Sequence, residues 1–243
     1  MDNLIALLRS LLFSVIYVVS AILFSIPSVL TYPLPFEQRY RFIKQWARFN
    51  VWSLKICCNL SFEIKGQENI PTEPVICLVK HQSTWETLAL QLVFPAQVWL
   101  LKRELLWLPF FGWGLAMLEP IAIDRKAGRQ AVKQLINQGT ERLQKGRWVV
   151  IYPEGTRVKI GEHKPYKLGG AILAEHSKYP VLPVAHNAGH FWSKQSFIKK
   201  PGVITLSIGP IIDSKDKKAA EINQLVESWI ETECAQLEHY HSG

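Results

Sequence analysis

The sequence predicts an α/β fold, in which helices flank a largely parallel, mixed β-sheet and a helical hairpin precedes the sheet at the N-terminus. Two observations predict the sheet: short apolar runs of strand length recur along the chain, and helical patterns lie between them. Several of these runs are apolar at every position, which is typical of parallel strands with helices on both faces. A third observation, an uncharged apolar stretch at residues 11–30, predicts the first helix of the hairpin.

Residues 1–58 are predicted to form a helical membrane anchor. The stretch at 11–30 is just long enough to cross about 30 Å of hydrocarbon as a helix, but Pro27 shortens its regular part. The sequence leaves open whether this segment crosses the bilayer or lies in one leaflet. A second helix at 36–58 carries basic residues along one stripe and aromatic residues elsewhere, which is typical of a membrane interface. A helix that packs on the core with a solvated basic face is the alternative.

Residues 59–243 are predicted to form one α/β domain. The strands are predicted at residues 60–66, 75–79, 97–101, 121–123, 148–152, 181–185 and 203–208. The helices are predicted at residues 84–94, 126–145, 167–177 and 216–240. In such a sheet the ligand site lies beyond the carboxyl ends of the strands. We therefore expect the functional residues in the turns that follow the strands at 75–79, 97–101 and 148–152.

The chain is basic, with 28 Lys and Arg residues against 20 Asp and Glu residues and a net charge of +8. This balance suits nucleic acid, anionic lipid or a phosphorylated substrate. Nucleic acid is disfavoured, because the basic groups neighbour long apolar stretches instead of forming a charged stripe on a polar surface. Positive charge is denser after the first apolar segment than before it, so the α/β domain is expected on the cytoplasmic side.

Several kinds of site are disfavoured by the motifs. The four cysteines lack the spacing of a metal or redox site, and the glycine fingerprints of nucleotide-binding loops are absent. No G-x-S-x-G motif supplies a serine nucleophile. His186 and His190 are four residues apart, but Gly189 interrupts any helix there, so no metal site is expected.

The turn after the strand at 75–79 reads KHQSTWE over residues 80–86. His81 is a candidate general base, and Glu86 is the candidate carboxylate that orients it. In one continuous helix these two residues would lie about 140° apart, so a junction between loop and helix would have to bring them together. Ser83 and Glu86 also form the S-x-x-E pattern of a capping box. An ordinary loop histidine and an ordinary helix cap are therefore the alternative interpretation.

The turn after the strand at 148–152 reads PEGTR over residues 153–157. Gly155 lets the backbone approach an anion closely, and Arg157 can bind a phosphate through two parallel hydrogen bonds. The motif therefore suits an anion site, although a surface turn with a solvated arginine is the alternative.

The turn after the strand at 97–101 begins with Lys102 and leads into an uncharged run at 105–118. This run is too short, and too interrupted by proline and glycine, to span a membrane. Its aromatic residues favour contact with an acyl chain or the membrane over burial in the core. These residues are Trp107, Phe110, Phe111 and Trp113.

Over about residues 60–190, these turns resemble the motifs of the 1-acyl-sn-glycerol-3-phosphate acyltransferase family and keep their order. The histidine-x4-acid motif of the family matches His81 and Glu86, although its acid is usually aspartate. The P-E-G-T-R motif matches residues 153–157, and an apolar strand with an internal proline matches residues 181–185. Four ordered motifs are much more specific than one.

The remaining motif of the family begins with Lys-x-Glu-Leu and ends with I-x-I-D-R, and it matches Lys102 to Arg125. Here Glu119-Pro120 precedes IAIDR, where a glycine is expected. This departure bears on substrate preference more than on the type of reaction.

The resemblance implies transfer of an acyl group to the sn-2 hydroxyl of lysophosphatidate, which gives phosphatidate for phospholipid synthesis. The donor would be an acyl thioester of coenzyme A or acyl carrier protein, with no cofactor, at a bacterial inner membrane. Another acceptor, such as glycerol-3-phosphate or another lysolipid, is an alternative. A non-catalytic lipid-binding membrane module is the alternative from a different class.

The resemblance also implies roles for individual residues. His81 would take the proton of the acceptor hydroxyl, and Glu86 would orient His81. Substrate phosphate would be bound by Arg157, Lys102 and Arg125. The substrate-binding turn would be shaped by Glu154, Gly155 and Thr156, and Glu154 would hold a cationic side chain.

Overall fold

The computed structural model describes residues 2–124 and 126–239. The helices are α1 (Asp2–Leu30), α2 (Phe36–Cys58), α3 (Trp85–Val93), α4 (Phe111–Ala116), α5 (Arg129–Gln144), α6 (Gly169–Ser177), α7 (Ala188–Phe191) and α8 (Ala219–His239). The strands are β1 (Leu60–Lys65), β2 (Ile76–Val79), β3 (Gln97–Lys102), β4 (Ile121–Ile123), β5 (Trp148–Ile151), β6 (Val181–His186) and β7 (Gly202–Ile208). Each predicted strand is present, with bounds within one residue of the prediction.

The seven strands form one sheet in the order β1-β7-β6-β2-β5-β3-β4. Neighbouring strands are parallel except for β6 and β7, which are antiparallel, so the predicted fold class is confirmed. The central strands β2, β5 and β6 are buried at every position, which explains their continuously apolar sequences. Because β2, β5 and β3 are parallel neighbours, the turns at their carboxyl ends meet at one edge of the sheet.

The helices that flank the sheet form two groups. The helices α5 and α6 pack against each other, and α6 also contacts α8. The other group contains the hairpin helices α1 and α2, with α3 packed on α2 and α4 packed on α1. This second group covers the sheet next to the turn after β2 and so encloses the space in front of His81.

The hairpin is packed against the α/β domain along much of α1. Phe13 meets the Trp192 ring edge-on with centroids 5.4 Å apart, and the Lys199 backbone N–H donates to Ser10 Oγ at 2.9 Å. At the other end of α1, Ser28 lies beside Gly114 of α4. One face of α1 is therefore in contact with the domain from Ser10 to Ser28.

The opposite face of α1 is apolar and exposed. Residues Asn3–Leu30 are long and apolar enough to cross a membrane by length and composition, and only 17% of the most apolar stretch is buried. The exposed apolar side chains include Leu4, Leu8, Leu11, Leu12, Val15, Val18, Val19, Ile22, Leu23, Ile26 and Leu30. Nothing in the described structure covers this face, so it is available to lipid.

Glu119 lies where the resemblance to the family predicts a glycine, and its backbone has a conformation that favours glycine. Its φ is +48°, in the left-handed region that disfavours side chains. The carboxylate accepts hydrogen bonds from Arg39 of α2 and Arg147, and the Glu119 carbonyl accepts one from Arg142 Nε at 3.2 Å. These contacts hold the strained residue in place and join the hairpin to the α/β domain.

The run at 105–118 is more regular than expected from its sequence. Residues Arg103–Trp107 form a 3-10 helix, and Phe111–Ala116 form the short helix α4. A Cβ atom at Gly112 would lie 2.4 Å from the Leu106 carbonyl oxygen, so only glycine allows this close turn. The turn directs some of the aromatic side chains toward the space in front of His81 and others toward solvent.

Candidate active site

His81 and Glu86 are brought together by the junction between β2 and α3. The strand ends at Val79 and the helix begins at Trp85, so His81 lies in the connecting turn and Glu86 in the first turn of the helix. The His81 Nδ1 atom lies 2.8 Å from Glu86 Oε1. The loop-to-helix junction thus provides the proximity that a continuous helix would prevent.

Glu86 also caps the helix. Its Oε1 atom accepts the backbone N–H groups of Ser83 at 2.9 Å and Gln82 at 3.1 Å, while Ser83 Oγ accepts the Trp85 N–H at 3.1 Å. The two interpretations of the sequence are therefore compatible, since one carboxylate oxygen serves both the helix terminus and the imidazole.

The environment of Glu86 favours its ionised form and fixes the tautomer of His81. The Glu86 side chain is fully buried, and burial alone would raise its pKa. The neighbouring His186 and His81 imidazoles and the Ser83 N–H outweigh this effect, so the pKa lies below its usual value. A carboxylate at Nδ1 holds a proton there, which leaves the lone pair on His81 Nε2.

The backbone and ring of His81 are held by the strand and turn around β5. Its ring stacks on the Tyr152 ring with centroids 4.0 Å apart and planes 14° from parallel. The His81 carbonyl accepts the Val158 N–H at 2.8 Å. These contacts leave no local pattern in the sequence, because they join segments more than 70 residues apart.

A buried charged network, which we call the Lys80 network, lies behind this turn. The Lys80 Nζ atom lies 2.6 Å from Glu231 Oε1 on α8 and 3.4 Å from Glu154 Oε1. The Tyr166 hydroxyl donates to Glu231 Oε1 at 2.7 Å. Glu154 thus holds a cationic side chain, as expected, and the cation is Lys80. Burial raises the pKa of Glu154 to about 7, although Lys80 opposes the shift.

The PEGTR turn brings its residues to the same edge of the sheet. Gly155 has a φ of +70°, and a Cβ atom there would lie 2.9 Å from Lys167 Nζ, so glycine suits both the backbone and the close contact. Thr156 is exposed, and Arg157 is half-buried. The Lys194 Nζ atom donates to the Arg157 carbonyl at 3.2 Å, which adds a basic residue that the sequence reasoning missed.

His81 and the basic residues line one cavity of about 570 Å³. Lys102, Arg157 and Lys194 contribute to its wall, together with Gly155 and Thr156 of the turn. Most of the remaining wall is apolar and comes from α1, α2, α3, β3 and α4. These residues include Tyr17, Phe24, Ile43, Trp46, Leu88, Trp99, Leu101, Leu115 and Leu118.

The four predicted acyl-chain or membrane contacts divide into two pairs. Phe110 and Phe111 line the cavity, whereas Trp107 and Trp113 do not and are 68% and 45% exposed. The predicted phosphate-binding residue Arg125 lies outside the described residues. Within residues 2–124 and 126–239, no three His, Cys, Asp or Glu side chains lie close enough to hold a metal ion.

Known proteins resemble this chain over most of its length. The family model described as Acyltransferase matches residues 61–187. A Pseudomonas aeruginosa 1-acyl-sn-glycerol-3-phosphate acyltransferase is 45% identical over 95% of this chain and 91% of its own length. A Saccharomyces cerevisiae protein of the same name is 32% identical, over 58% of this chain and 48% of its own length.

A solved structure shares the fold. The crystal structure of the 1-acyl-sn-glycerophosphate acyltransferase PlsC from Thermotoga maritima matches with a TM-score of 0.80. The match covers 98% of each chain at 23% sequence identity. It therefore supports the arrangement of helices and strands, including the hairpin, independently of the sequence motifs.

Proposed function

The chain belongs to the 1-acyl-sn-glycerol-3-phosphate acyltransferase family, and from this premise we propose that it acylates the sn-2 hydroxyl of 1-acyl-sn-glycerol-3-phosphate. The acyl donor is a thioester of coenzyme A or acyl carrier protein, and the product is phosphatidate. The observation that carries the proposal is the 2.8 Å contact between His81 Nδ1 and Glu86 Oε1 on the wall of a largely apolar cavity.

His81 is the general base in this proposal. Its Nε2 lone pair takes the hydroxyl proton as the hydroxyl oxygen attacks the thioester carbonyl carbon. The tetrahedral intermediate then collapses, the carbon–sulfur bond breaks, and His81 returns the proton to the leaving thiolate. The ester forms without a covalent acyl-enzyme, which agrees with the absence of a G-x-S-x-G motif from the sequence.

Glu86 supports each proton transfer. It keeps the proton of the neutral imidazole on Nδ1, and its negative charge stabilises the imidazolium that forms when Nε2 is protonated. General base catalysis supplies a rate increase of about 10² to 10⁴. Placing the two substrates side by side in the cavity supplies a further part of the rate.

The cationic residues of the cavity bind the phosphate of the acceptor. Arg157 presents a guanidinium that can donate two parallel hydrogen bonds, and Lys102 and Lys194 add positive charge to the same wall. Arg125 follows the same strand-end pattern and stays a predicted contributor. The Glu154-Gly155-Thr156 turn sets the position from which Arg157 projects.

The apolar part of the cavity holds an acyl chain. Its wall is built from the hairpin and from α3 and α4, with Phe110 and Phe111 beside it. A saturated chain gains about 0.8 kcal/mol for each methylene removed from water, so such a cavity can bind a fatty acyl group without specific polar contacts.

The exposed apolar face of α1 supports membrane attachment, and the packing of its other face favours insertion into one leaflet. If α1 crossed the bilayer, Ser10 and Ser28 would lie at different depths in the membrane. Both residues instead contact the same domain. Trp107 and Trp113 are exposed near the cavity, and exposed tryptophans of this kind favour the headgroup region of a membrane. We expect a bacterial inner membrane with the domain on the cytoplasmic side.

The test is an acyl-transfer assay on the purified, detergent-solubilised full chain with His81→Ala. We expect free-thiol release that depends on 1-acyl-sn-glycerol-3-phosphate, and its loss in the variant while the helical circular dichroism signal stays unchanged. His176→Ala, at an exposed histidine of α6, is the matched control and should retain full activity. Full turnover by His81→Ala would exclude His81 as the base.

A panel of acceptors tests the substrate class in the same assay. We expect turnover with 1-acyl-sn-glycerol-3-phosphate to exceed that with glycerol-3-phosphate and with a neutral lysolipid. A preference for either of those acceptors would assign the acyl-transfer chemistry to a different substrate.

A further inference from the structure

His186, the last residue of β6, is fully buried directly behind the turn that carries His81. Its Nε2 atom lies 2.9 Å from the Lys80 carbonyl oxygen, and its Nδ1 atom accepts the Ala188 N–H at 3.2 Å. The same Nε2 atom lies 3.8 Å from Glu86 Oε2. The proposed reaction uses His81 and Glu86 and leaves this second histidine without a role.

The contacts of His186 define its protonation. Because Nδ1 accepts a hydrogen bond from a backbone N–H, the ring proton resides on Nε2, which donates to the Lys80 carbonyl. Burial lowers the pKa of His186, with Glu86 opposing the shift, so the ring is neutral at physiological pH. The Nε2–H group of His186 is therefore a fixed hydrogen-bond donor to the carbonyl of Lys80, the residue before His81.

The peptide group between Lys80 and His81 is held at both edges. Its carbonyl oxygen accepts from His186 Nε2, and its N–H donates to Glu154 Oε1 at 3.4 Å. On the other side of Lys80, its own N–H donates to the Val184 carbonyl at 3.0 Å. The orientation of this peptide plane sets the direction in which the His81 side chain leaves the backbone.

The second oxygen of Glu86 faces the same histidine. Glu86 Oε1 accepts three hydrogen bonds, whereas Oε2 is buried and has no hydrogen-bond partner among the described residues. Its neighbour at 3.8 Å is the N–H-bearing nitrogen of His186. The N–H dipole of a neutral His186 stabilises the ionised form of Glu86. A protonated His186 would instead pair with the Glu86 charge and so compete with His81 for it.

We propose that His186 is a positioning residue for the reaction. Its Nε2–H, which lies beside Glu86 Oε2, fixes the Lys80 carbonyl and thereby the direction of the His81 side chain. The inference rests on the proposed role of His81 as the base. A small displacement of a catalytic group is costly, since a 1 Å error in placement lowers a rate by up to about 100-fold.

Three substitutions separate this role from packing. His186→Gln places an amide N–H close to the position of Nε2 and can still donate to the Lys80 carbonyl. His186→Asn places its amide near Nδ1, too far back to reach that carbonyl. His186→Leu removes both contacts while filling most of the volume.

Steady-state kinetics on the full chain measure kcat and the KM for each substrate. We expect His186→Leu and His186→Asn to lower kcat by about 10-fold with KM for 1-acyl-sn-glycerol-3-phosphate changed less than about twofold. His186→Gln should retain at least about a third of the wild-type kcat. Leu143→Ala, on the buried face of α5, is the control for lost stability and should keep its kcat.

The outcomes distinguish this inference from the proposed function. Wild-type kcat in His186→Leu, or an equal loss in Gln, Asn and Leu variants, would overturn the positioning role. If the Leu variant does not fold, the comparison of Gln with Asn decides, and equal activities overturn the inference. Loss of activity in His81→Ala with full activity in His186→Leu would leave the proposed function standing and remove only the inference.

Discussion

His81 Nδ1 and Glu86 Oε1 lie 2.8 Å apart, although His81 lies in the turn before α3 and Glu86 in the first turn of that helix. The family motif usually has aspartate at this position, and the longer side chain of Glu86 also contacts the imidazole. It does so from the first turn of α3, while the same oxygen accepts the Ser83 N–H. Catalysis and helix capping can therefore be separated by changing the charge of residue 86 without changing its shape.

The first prediction is that Glu86→Gln lowers kcat by about 100-fold. It should lower the melting temperature by only a few degrees, because the helix cap is kept although the favourable charge of Glu86 is lost. Glutamine also completes a capping box, so the helix terminus keeps its hydrogen bond. The neutral amide, however, cannot stabilise the imidazolium form of His81. Parallel measurements of kcat and thermal unfolding check both parts.

Glu86→Asp is the matched comparison, since it keeps the charge and shortens the reach. We expect a smaller loss of kcat than in Glu86→Gln. A wild-type rate in the glutamine variant would show that Glu86 acts only as a helix cap.

The second prediction concerns the phosphate. Arg157→Ala should raise the KM for 1-acyl-sn-glycerol-3-phosphate by about 10-fold or more, because a charged hydrogen bond contributes about 1.5 to 3 kcal/mol. The KM for the acyl donor should change less than about twofold. Arg129→Ala, at an exposed arginine of α5, is the control for lost charge alone. A larger effect on the donor KM would move the phosphate site away from Arg157.

The strands could be predicted from the sequence because their burial requires apolar residues at every position, as in β2, β5 and β6. His81 and Glu86 could be found because a turn and a helix cap are local in sequence. The regular structure of the run at 105–118 could not, because its glycine and proline residues are typical of loops. There the close approach of Gly112 to Leu106 allows a short helix.

The contacts that hold the turn around His81 could not be predicted from the sequence, because they join distant parts of the chain. Lys80 and Glu231 are 151 residues apart, and Lys80 and His186 are 106 residues apart, so neither pair leaves a local pattern. The local sequence marks His186 only by its spacing to His190, which is a feature of metal ligands and does not indicate a contact with the turn that carries His81. Its role depends on which strand lies beside β2, and periodicity does not specify strand order.

The third prediction separates the ring of Tyr152 from its hydroxyl. Tyr152→Phe should keep kcat within about twofold, because the parallel stack on His81 is retained. Tyr152→Leu should lower kcat by about 5- to 10-fold, because the imidazole loses its flat support. Kinetics of both variants at saturating substrate make the comparison. Equal activity of the phenylalanine and leucine variants would show that stacking does not position His81.

The fourth prediction concerns pH and the join between hairpin and domain. Burial opposes ionisation of Glu119, but Arg147, Arg39 and Arg142 lower its pKa below the usual 4.5. A lowered folded-state pKa gives stability that is present above the unfolded-state pKa and is lost as the pH falls through the folded-state value. Glu119→Gln should therefore lower the melting temperature by about 3 °C at pH 7 and by progressively less below about pH 4.

Thermal unfolding of wild type and variant at pH 7, 5 and 3.5 measures this difference. Glu68→Gln, at an exposed carboxylate, is the control and should show no such difference at pH 7. A constant difference across the pH range would mean that the charge of Glu119 is not what joins the two parts.

The fifth prediction tests whether the apolar cavity holds the acyl chain. Gly114 lines the cavity, and a Cβ atom there would meet only the Ser28 side chain at 3.9 Å, which is an ordinary contact. Gly114→Ala should therefore be tolerated, whereas Gly114→Leu should place its branched end in the space beside Ser28. We expect Gly114→Leu to lower kcat/KM by about 10-fold for acyl donors of 16 to 18 carbons, since about two methylenes lose their burial.

Donors of about 10 to 12 carbons are the internal control, because a shorter chain does not need the obstructed space. Their kcat/KM should stay within about twofold of wild type, so the variant reverses the order of preference without disturbing His81. An equal loss at every chain length would indicate a disturbed fold or base. Unchanged activity with the long donors would mean that the acyl chain follows a path that avoids Gly114, and the cavity would then have to serve the acceptor instead.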